Sequence, residues 1–293
     1  MKKFYLIIFV LAIWFVSFFL YEKRETKILF VGDMNFDRYI RQVVENKGDD
    51  HVFSCITNFL KNYDLVVGNL EGPITDNPSV SLGSIINTPN NYTFTFSPIT
   101  AKHLAKNNIK LVNLGNNHIS NFGKEGFAST KKYLEEGGVE YFGGFYGDEP
   151  ILRKEIKGNK ISLISFNEFG GDKVQNVVEK IKNEKKEERT VFVYTHWGDE
   201  YTAPPQRIKN YAKLFAEAGA DLVVGSHPHV ILYSEKMGDS FVYYSLGNFI
   251  FDQYWNKEVS TGLVLEVNIK GDNIKITEHK VTLSRDGRTC LEN

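Results

Sequence analysis

Ala220–Val230 reads Ala-Asp-Leu-Val-Val-Gly-Ser-His-Pro-His-Val, and its reading decides the fold. Asp221 to Val224 reads as a buried strand, ended by Gly225 and Ser226. His227 and His229 follow with Pro228 between them. In an extended segment, residues two apart face the same way. Two imidazoles just past a strand end therefore point into one site or are two surface histidines on a loop. Imidazole is the commonest side-chain ligand for divalent transition metals, so the first reading predicts a metal site.

Working outward, the same design recurs. Lys27 to Val31 is an apolar strand that ends at Gly32-Asp33, with Asn35 nearby. Asp64 to Val67 leads into Gly68-Asn69-Leu70-Glu71, and Asp-Leu-Val-Val-Gly occurs at both 64–68 and 221–225. Lys110 to Leu114 ends in Gly115-Asn116-Asn117-His118. Val191 to Tyr194 ends in Thr195-His196-Trp197-Gly198. Between these strands, helical spacing predicts helices over Asp37 to Lys47, His51 to Asn62, Pro98 to Asn108, Gly123 to Glu136, Asp172 to Glu188 and Pro204 to Ala218. Ile161 to Phe166 is a further strand. Phe241 to Leu246, Gly262 to Ile269 and Ile274 to Leu283 read as late strands with hairpin spacing. Residues 72–97 form a long polar insert, of a length that is functional or mobile.

Alternating strands and helices followed by antiparallel strands make an α/β chain with a mixed sheet or a two-sheet sandwich. No linker or repeat divides it after residue 27. In open α/β sheets, ligands gather beyond the carboxyl ends of the strands. Five such ends carry Asp33, Glu71, Asn117 with His118, His196, and His227 with His229. Singly, each has an ordinary alternative: Asp33 a helix N-cap, Asn117 a turn residue, His196 a packed ring, Glu71 a solvated carboxylate. Together they have the chemistry of a hydrolytic di-metal centre, in which a carboxylate bridges two cations that acidify a shared water.

Composition bounds the rest. The chain has 293 residues, 42% hydrophobic and 24% charged, with 22 Phe and 15 Tyr, which excludes a disordered chain. Net charge is −1, so nothing global predicts nucleic acid as a partner. Lys2 and Lys3 precede an uncharged run from Phe4 to Tyr21. As a helix it spans roughly 27 Å, close to a bilayer core. It reads as an uncleaved signal anchor, with a cleaved signal peptide as the alternative. The expected division is 1–26 for a short cytoplasmic terminus, transmembrane helix 4–21 and linker, and 27–293 for one domain. That domain lies outside the cytoplasm of a single-pass membrane protein, because a short basic terminus stays inside. Cys55 and Cys290 are the only cysteines, and the sequence leaves open whether they pair.

Six ordered motifs, GDMNFDR, GNLE, LGNNHISNFG, THWGDEY, GSHPHV and YSLGNFIFDQ, resemble the CapA family of bacterial capsule (poly-γ-glutamate) biosynthesis proteins. That family belongs to the calcineurin-like metallophosphoesterase superfamily, and the resemblance covers about residues 27 to 270. It implies a four-layer α-β-β-α sandwich holding one or two divalent ions (Mn, Fe or Zn). It implies that Asp33 and His229 bind one metal, that Asn117, His196 and His227 bind the other, and that Glu71 bridges them. His118 is the implied acid, and Arg38 and Tyr201 the implied substrate contacts, against readings as a surface arginine and a packing tyrosine. Asn35 stands where superfamily phosphatases carry histidine, and Asn121 where the family usually has aspartate. The implied function is a metal-dependent hydrolase acting on a phosphoester or amide in a polyanionic capsule or wall polymer. The alternatives are a non-catalytic subunit working with other polymer-synthesis membrane subunits and a general exported metallophosphatase.

Overall fold

The apolar runs are nearly continuous because their strands are buried on both faces. Along β1 (Thr26–Met34), Ile28 and Phe30 enter one core while Leu29 and Val31 enter another. β2 (Leu65–Leu70) divides in the same way, with Leu65 and Val67 on one side and Val66 and Leu70 on the other. In β7 (Thr190–His196), Phe192 and Tyr194 join the core shared with β1, whereas Val191 and Val193 face away from it. β8 (Leu222–Ser226) repeats this with Leu222 and Val224 against Val223. The period-two alternation of a strand thus sorts residues into three stacked cores.

The computed structural model describes residues 24–48, 50–145 and 149–292. The expected transmembrane helix over 4–21 lies outside the described residues. Among the described residues, no helix is long and apolar enough to cross a membrane. The fold is mixed α/β, built on two sheets. β3 (Leu111–Asn113), β4 (Glu140–Phe142), β11 (Asn248–Ile250), β12 (Thr261–Lys270), β13 (Asn273–Leu283) and β14 (Thr289–Leu291) join β1 and β2 in an eight-stranded sheet. Its order is β14-β13-β12-β1-β2-β3-β4, with β11 beside the far end of β1. β5 (Ile151–Ile156), β6 (Asn159–Asn167), β9 (Ser234–Met237) and β10 (Ser240–Tyr243) join β7 and β8 in a six-stranded sheet of order β5-β6-β7-β8-β10-β9.

The two sheets face each other across the middle core. Helices Arg38–Lys47, Thr57–Leu60, Thr100–Lys106 and Gly123–Gly137 cover the outer face of the first sheet through Ile40, Val43, Leu60, Leu104, Phe127 and Leu134. Helices Val174–Lys186 and Gln206–Ala218 cover the second through Val177, Ile181, Ala212 and Phe215. The layers therefore run helix, sheet, sheet, helix.

Three differences from the sequence reading have local causes. The helix expected over His51 to Asn62 shortens to Thr57–Leu60 after a run of turns. There Ser54 Oγ donates to the His51 carbonyl and Thr57 Oγ1 to that of Phe53, bonds that compete with a regular helix. The strand expected over Phe241 to Leu246 instead ends at Tyr243. The chain then turns at Gly247 and enters the other sheet as β11, parallel to β1 at Asp33 and Met34. This crossing brings residues 246–248 over both sheets. A Cβ on Gly32 would lie 1.9 Å from the Gly247 carbonyl oxygen, and one on Gly225 would lie 2.0 Å from that of Tyr244, so neither glycine tolerates a side chain. Third, the 72–97 insert is pinned at its base. Ile74 bridges Phe96, both are buried, and the Thr75 and Thr95 hydroxyls lie 2.6 Å apart.

Candidate metal centre

β1 pairs parallel with β2, β2 with β3, β6 with β7, and β7 with β8, so their carboxyl ends deliver polar groups to one pole. Asp33 belongs to β1 itself and is fully buried. Its Oδ1 accepts from Asn69 Nδ2 at 2.8 Å and its Oδ2 from the His227 amide at 3.0 Å. Burial alone raises a carboxyl, but the hydrogen bond and charge of His229, joined by His196 and the His227 amide, outweigh it and hold Asp33 at about 2.

Glu71 follows β2 and is also fully buried, yet neither of its carboxylate oxygens has a hydrogen-bond partner. Burial, then repulsion from Asp33 and Glu200, pushes it well above the usual carboxylate range. Its Oε1 lies 3.6 Å from His229 Nε2 and 3.9 Å from His118 Nε2. A buried carboxylate left without donors costs several kcal/mol and is normally paired or coordinated to metal.

The surrounding network fixes which face of His229 points at Glu71. Asn248 Nδ2 donates to Gln253 Oε1 (3.0 Å) and to the Val259 carbonyl (2.9 Å). Asn248 Oδ1 therefore accepts from His229 Nδ1–H at 2.9 Å. That turns Nε2 of the ring toward Glu71 Oε1. His196 Nδ1 lies 2.9 Å from Ser226 Oγ, and its Nε2 lies 2.9 Å from Asn117 Oδ1. Burial drives His196 well below the ordinary imidazole value and His227 down to about 3, so both rings are neutral near pH 7. Glu71, His196 and His227 each place a ligand-capable atom within 4.8 Å of the others, and Asp33, Glu71 and His229 do the same. Glu71 belongs to both groups.

The structure thus brings Asp33, Glu71, Asn117, His196, His227 and His229 together, with His118 at the edge. His118 Nδ1 lies 3.2 Å from Asn121 Oδ1, which also accepts from the Phe94 amide at 2.8 Å. The amide oxygen of Asn121 thus acts where a carboxylate oxygen would. Burial lowers His118 to about 4. One expectation about the backbone is corrected. His227 and His229 do not sit in an extended segment: their φ angles are +95° and +59°. The His227 amide turns in to reach Asp33, and both rings still enter one site, 6.0 Å apart.

Arg38 Nη2 donates to Asp252 and the guanidinium lies over the rings of Phe94 and Phe251, while its buried Nε has no partner. Tyr201 Oη accepts from Gln253 Nε2 at 3.0 Å, and its ring lies 6.0 Å from that of His229. Both line a cleft of about 430 Å³ beside the cluster, with Glu200, Trp255 and Ile86. Sequence reasoning passed over Asn248, Gln253, Ser226 and Asn69, which orient the cluster, and Phe169, whose ring lies 4.4 Å from that of His227. YSLGNFIFDQ contained the first two, but a neutral amide near a strand end has no signature of its own.

The family described as "Bacterial capsule synthesis protein PGA_cap" matches residues 27–253. "Capsule biosynthesis protein CapA" of Bacillus anthracis is 29% identical over 265 residues, 83% of this chain and 64% of its own. "PGA biosynthesis protein CapA" of Bacillus subtilis (strain 168) is 28% identical over 254 residues, 80% of this chain and 66% of its own. The chain thus spans just under two thirds of these relatives' length. The solved structure of Vps29 complexed with zinc from Entamoeba histolytica covers 63% of this chain and 81% of its own. At 16% identity and a TM-score of 0.31, that likeness is too distant to bear on the site.

Proposed function

The chain belongs to the bacterial capsule synthesis protein PGA_cap family, and from that premise we propose a metal-dependent hydrolase acting on a phosphoester or amide bond of a capsule or wall polymer. The observation that carries this is Glu71, a buried carboxyl group with two unpartnered oxygens, one of them 3.6 Å from His229 Nε2. The donor set fits one or two divalent transition ions, and mixed imidazole, amide and carboxylate ligation suits Mn, Fe or Zn. Asp33 and His229 would hold one ion and His196, His227 and Asn117 the other, with Glu71 between. Bound there, such ions supply Lewis acidity and an acidified water.

His118 would move the proton. With Nδ1–H engaged by Asn121, a proton taken up by the ring sits on Nε2, the atom that faces Glu71. Tyr201, tied through its backbone amide to the Pro228 carbonyl at 2.9 Å, would position the polymer beside His229. A location outside the cytoplasm accords with the Cys55–Cys290 disulfide, since such bonds persist in oxidising compartments. Attachment to a membrane through the apolar N-terminal run belongs to the same proposal.

The test is turnover of bis-p-nitrophenyl phosphate and a γ-glutamyl anilide by the metal-supplied full chain, beside His118→Asn. General acid–base catalysis predicts a loss of about 10²–10⁴ in kcat at unchanged metal content. A second reading, a non-catalytic subunit of a polymer-synthesis complex, is favoured by Asn35. Its buried Oδ1 accepts from the Asp37 amide, and no imidazole stands at that position. Metal-loaded protein that turns over neither substrate would select this second reading.

A further inference from the structure

The chain enters the fold at the pole opposite the metal centre, and a buried amide clamps it there. Asn159, at the start of β6, is buried. Its Nδ2 donates to the Arg24 carbonyl at 2.8 Å and to Thr26 Oγ1 at 2.9 Å, and its Oδ1 accepts from the Gly271 amide at 3.2 Å. The Arg24 amide donates to the Lys157 carbonyl at 3.2 Å, and Thr26 Oγ1 to that of Ile156 at 2.8 Å. The Lys27 amide reaches Asp64 Oδ2 at 2.9 Å, and the same oxygen takes Lys157 Nζ at 2.7 Å. Residues 24–27 are thus fastened to the β5–β6 turn, the β12–β13 turn and the entry to β2, three features of one pole.

Glu22 and Lys23 alone separate Arg24 from the uncharged run Phe4–Tyr21. Even a fully extended chain spans at most about 11 Å from Tyr21 to Arg24. With that run as a membrane anchor, the clamp stands no farther than this from the hydrocarbon core, and the headgroup layer takes up about 5–7 Å of it. Lys23 and Arg24 then meet headgroup phosphates. The face around them is polar and mixed in charge: Lys61, Lys110, Lys157 and Lys160 are exposed, as are Glu140 and Asp272. Such a face suits contact with headgroups rather than burial among lipid tails. From here β1 runs to the cluster. Thr26 to Asp33 is seven steps of the strand, about 23 Å at 3.3 Å each. Ile86, Tyr92, Tyr201 and Trp255, all exposed, line the cleft at that far end.

We infer that the pole of the strand amino ends is a docking face for the bilayer surface. The candidate metal centre then opens away from the membrane, toward polymer already clear of the lipid headgroups. The inference rests on reading the apolar run as a membrane anchor, and its consequence on the hydrolytic reading of the cluster. A bond joined directly to a lipid headgroup lies about 23 Å from the reacting groups, out of their reach.

The full chain reconstituted in phosphatidylcholine vesicles tests it, with a spin-labelled headgroup lipid that quenches a fluorophore only on close contact. Asp272→Cys and Ile85→Cys each place one fluorophore, the first at the clamped pole and the second, 76% exposed, on the insert beside the cleft. Both native cysteines are held in the disulfide and do not take the label. The label at 272 should lose most of its emission in quencher vesicles, and the label at 85 should keep its own. Quenching at 85 alone, equal quenching at both, or quenching at neither, in chain that floats with the vesicles, would overturn the docking face and leave the anchor standing. Chain that does not float with the vesicles would overturn both. Turnover of the two substrates named above, measured on the same vesicles, is a separate readout, so a failed hydrolase leaves the docking face intact.

Discussion

At the scale of single residues, the cluster depends on amides as much as on its carboxylates and imidazoles. Asn248 spends both N–H donors on Gln253 and Val259, and by doing so decides which nitrogen of His229 carries the proton. Partners of this kind tune ligand orientation and basicity. Asn248→Ala should therefore weaken metal binding about 10–100-fold while the fold persists, read by competition with a chelator. Unchanged affinity would show that the tautomer is set elsewhere. That these carboxylates and imidazoles would gather at one pole was legible in the sequence because such residues at successive strand ends are rare. The amides were not, because Asn248 and Gln253 look like ordinary turn residues until their partners are known. The left-handed backbone at His227 and His229 was equally hidden, since at His227 it goes with an amide bond to Asp33, 194 residues away.

At the scale of elements, the strands that build the site were the readable ones. β1, β2, β7 and β8 are buried on both faces and so carry long apolar runs. The strands that went unread are short or charged. β4, β11 and β14 each have three residues, and β5 and β9 are edge strands with lysine and glutamate. Their pairing is supplied by neighbours rather than by their own pattern. The helix Val174–Lys186 shows how such an edge is secured. Its Glu184 side chain is only 4% exposed and accepts from Arg153 Nη2 and Ser162 Oγ, each at 2.6 Å. Burial works against this carboxylate, but the hydrogen bonds from Arg153 and Ser162 win and lower its pKa. A carboxyl lowered in the folded state adds stability above its unfolded pKa, and that stability is lost as pH falls through the folded value. Thermal melts should therefore drop as pH falls below about 4.5, and Glu184→Gln should flatten that part of the profile. An identical slope in the variant would assign the acid lability to other groups.

At the scale of the whole molecule, two devices tie distant parts of the chain together. One is the crossing from β10 to β11, which joins the two sheets beside the cluster. The other is the disulfide, which links Cys55 to Cys290 across a sequence separation of 235 with Cα atoms 4.9 Å apart. Closing so long a loop restricts the unfolded chain, and removing such a bond costs typically about 2–4 kcal/mol. Cys55→Ser with Cys290→Ser should lower Tm by several degrees, and the oxidised protein should show no free thiol on titration. Two free thiols in the native protein would contradict the pairing. The account as a whole turns on whether the buried cluster holds metal. Elemental analysis of the full chain, purified without chelator beside His227→Ala, measures that directly. One or two transition ions per chain, reduced in the variant, is the expected result. Protein that carries none, and takes up none when supplied with Mn, Fe or Zn, would contradict it.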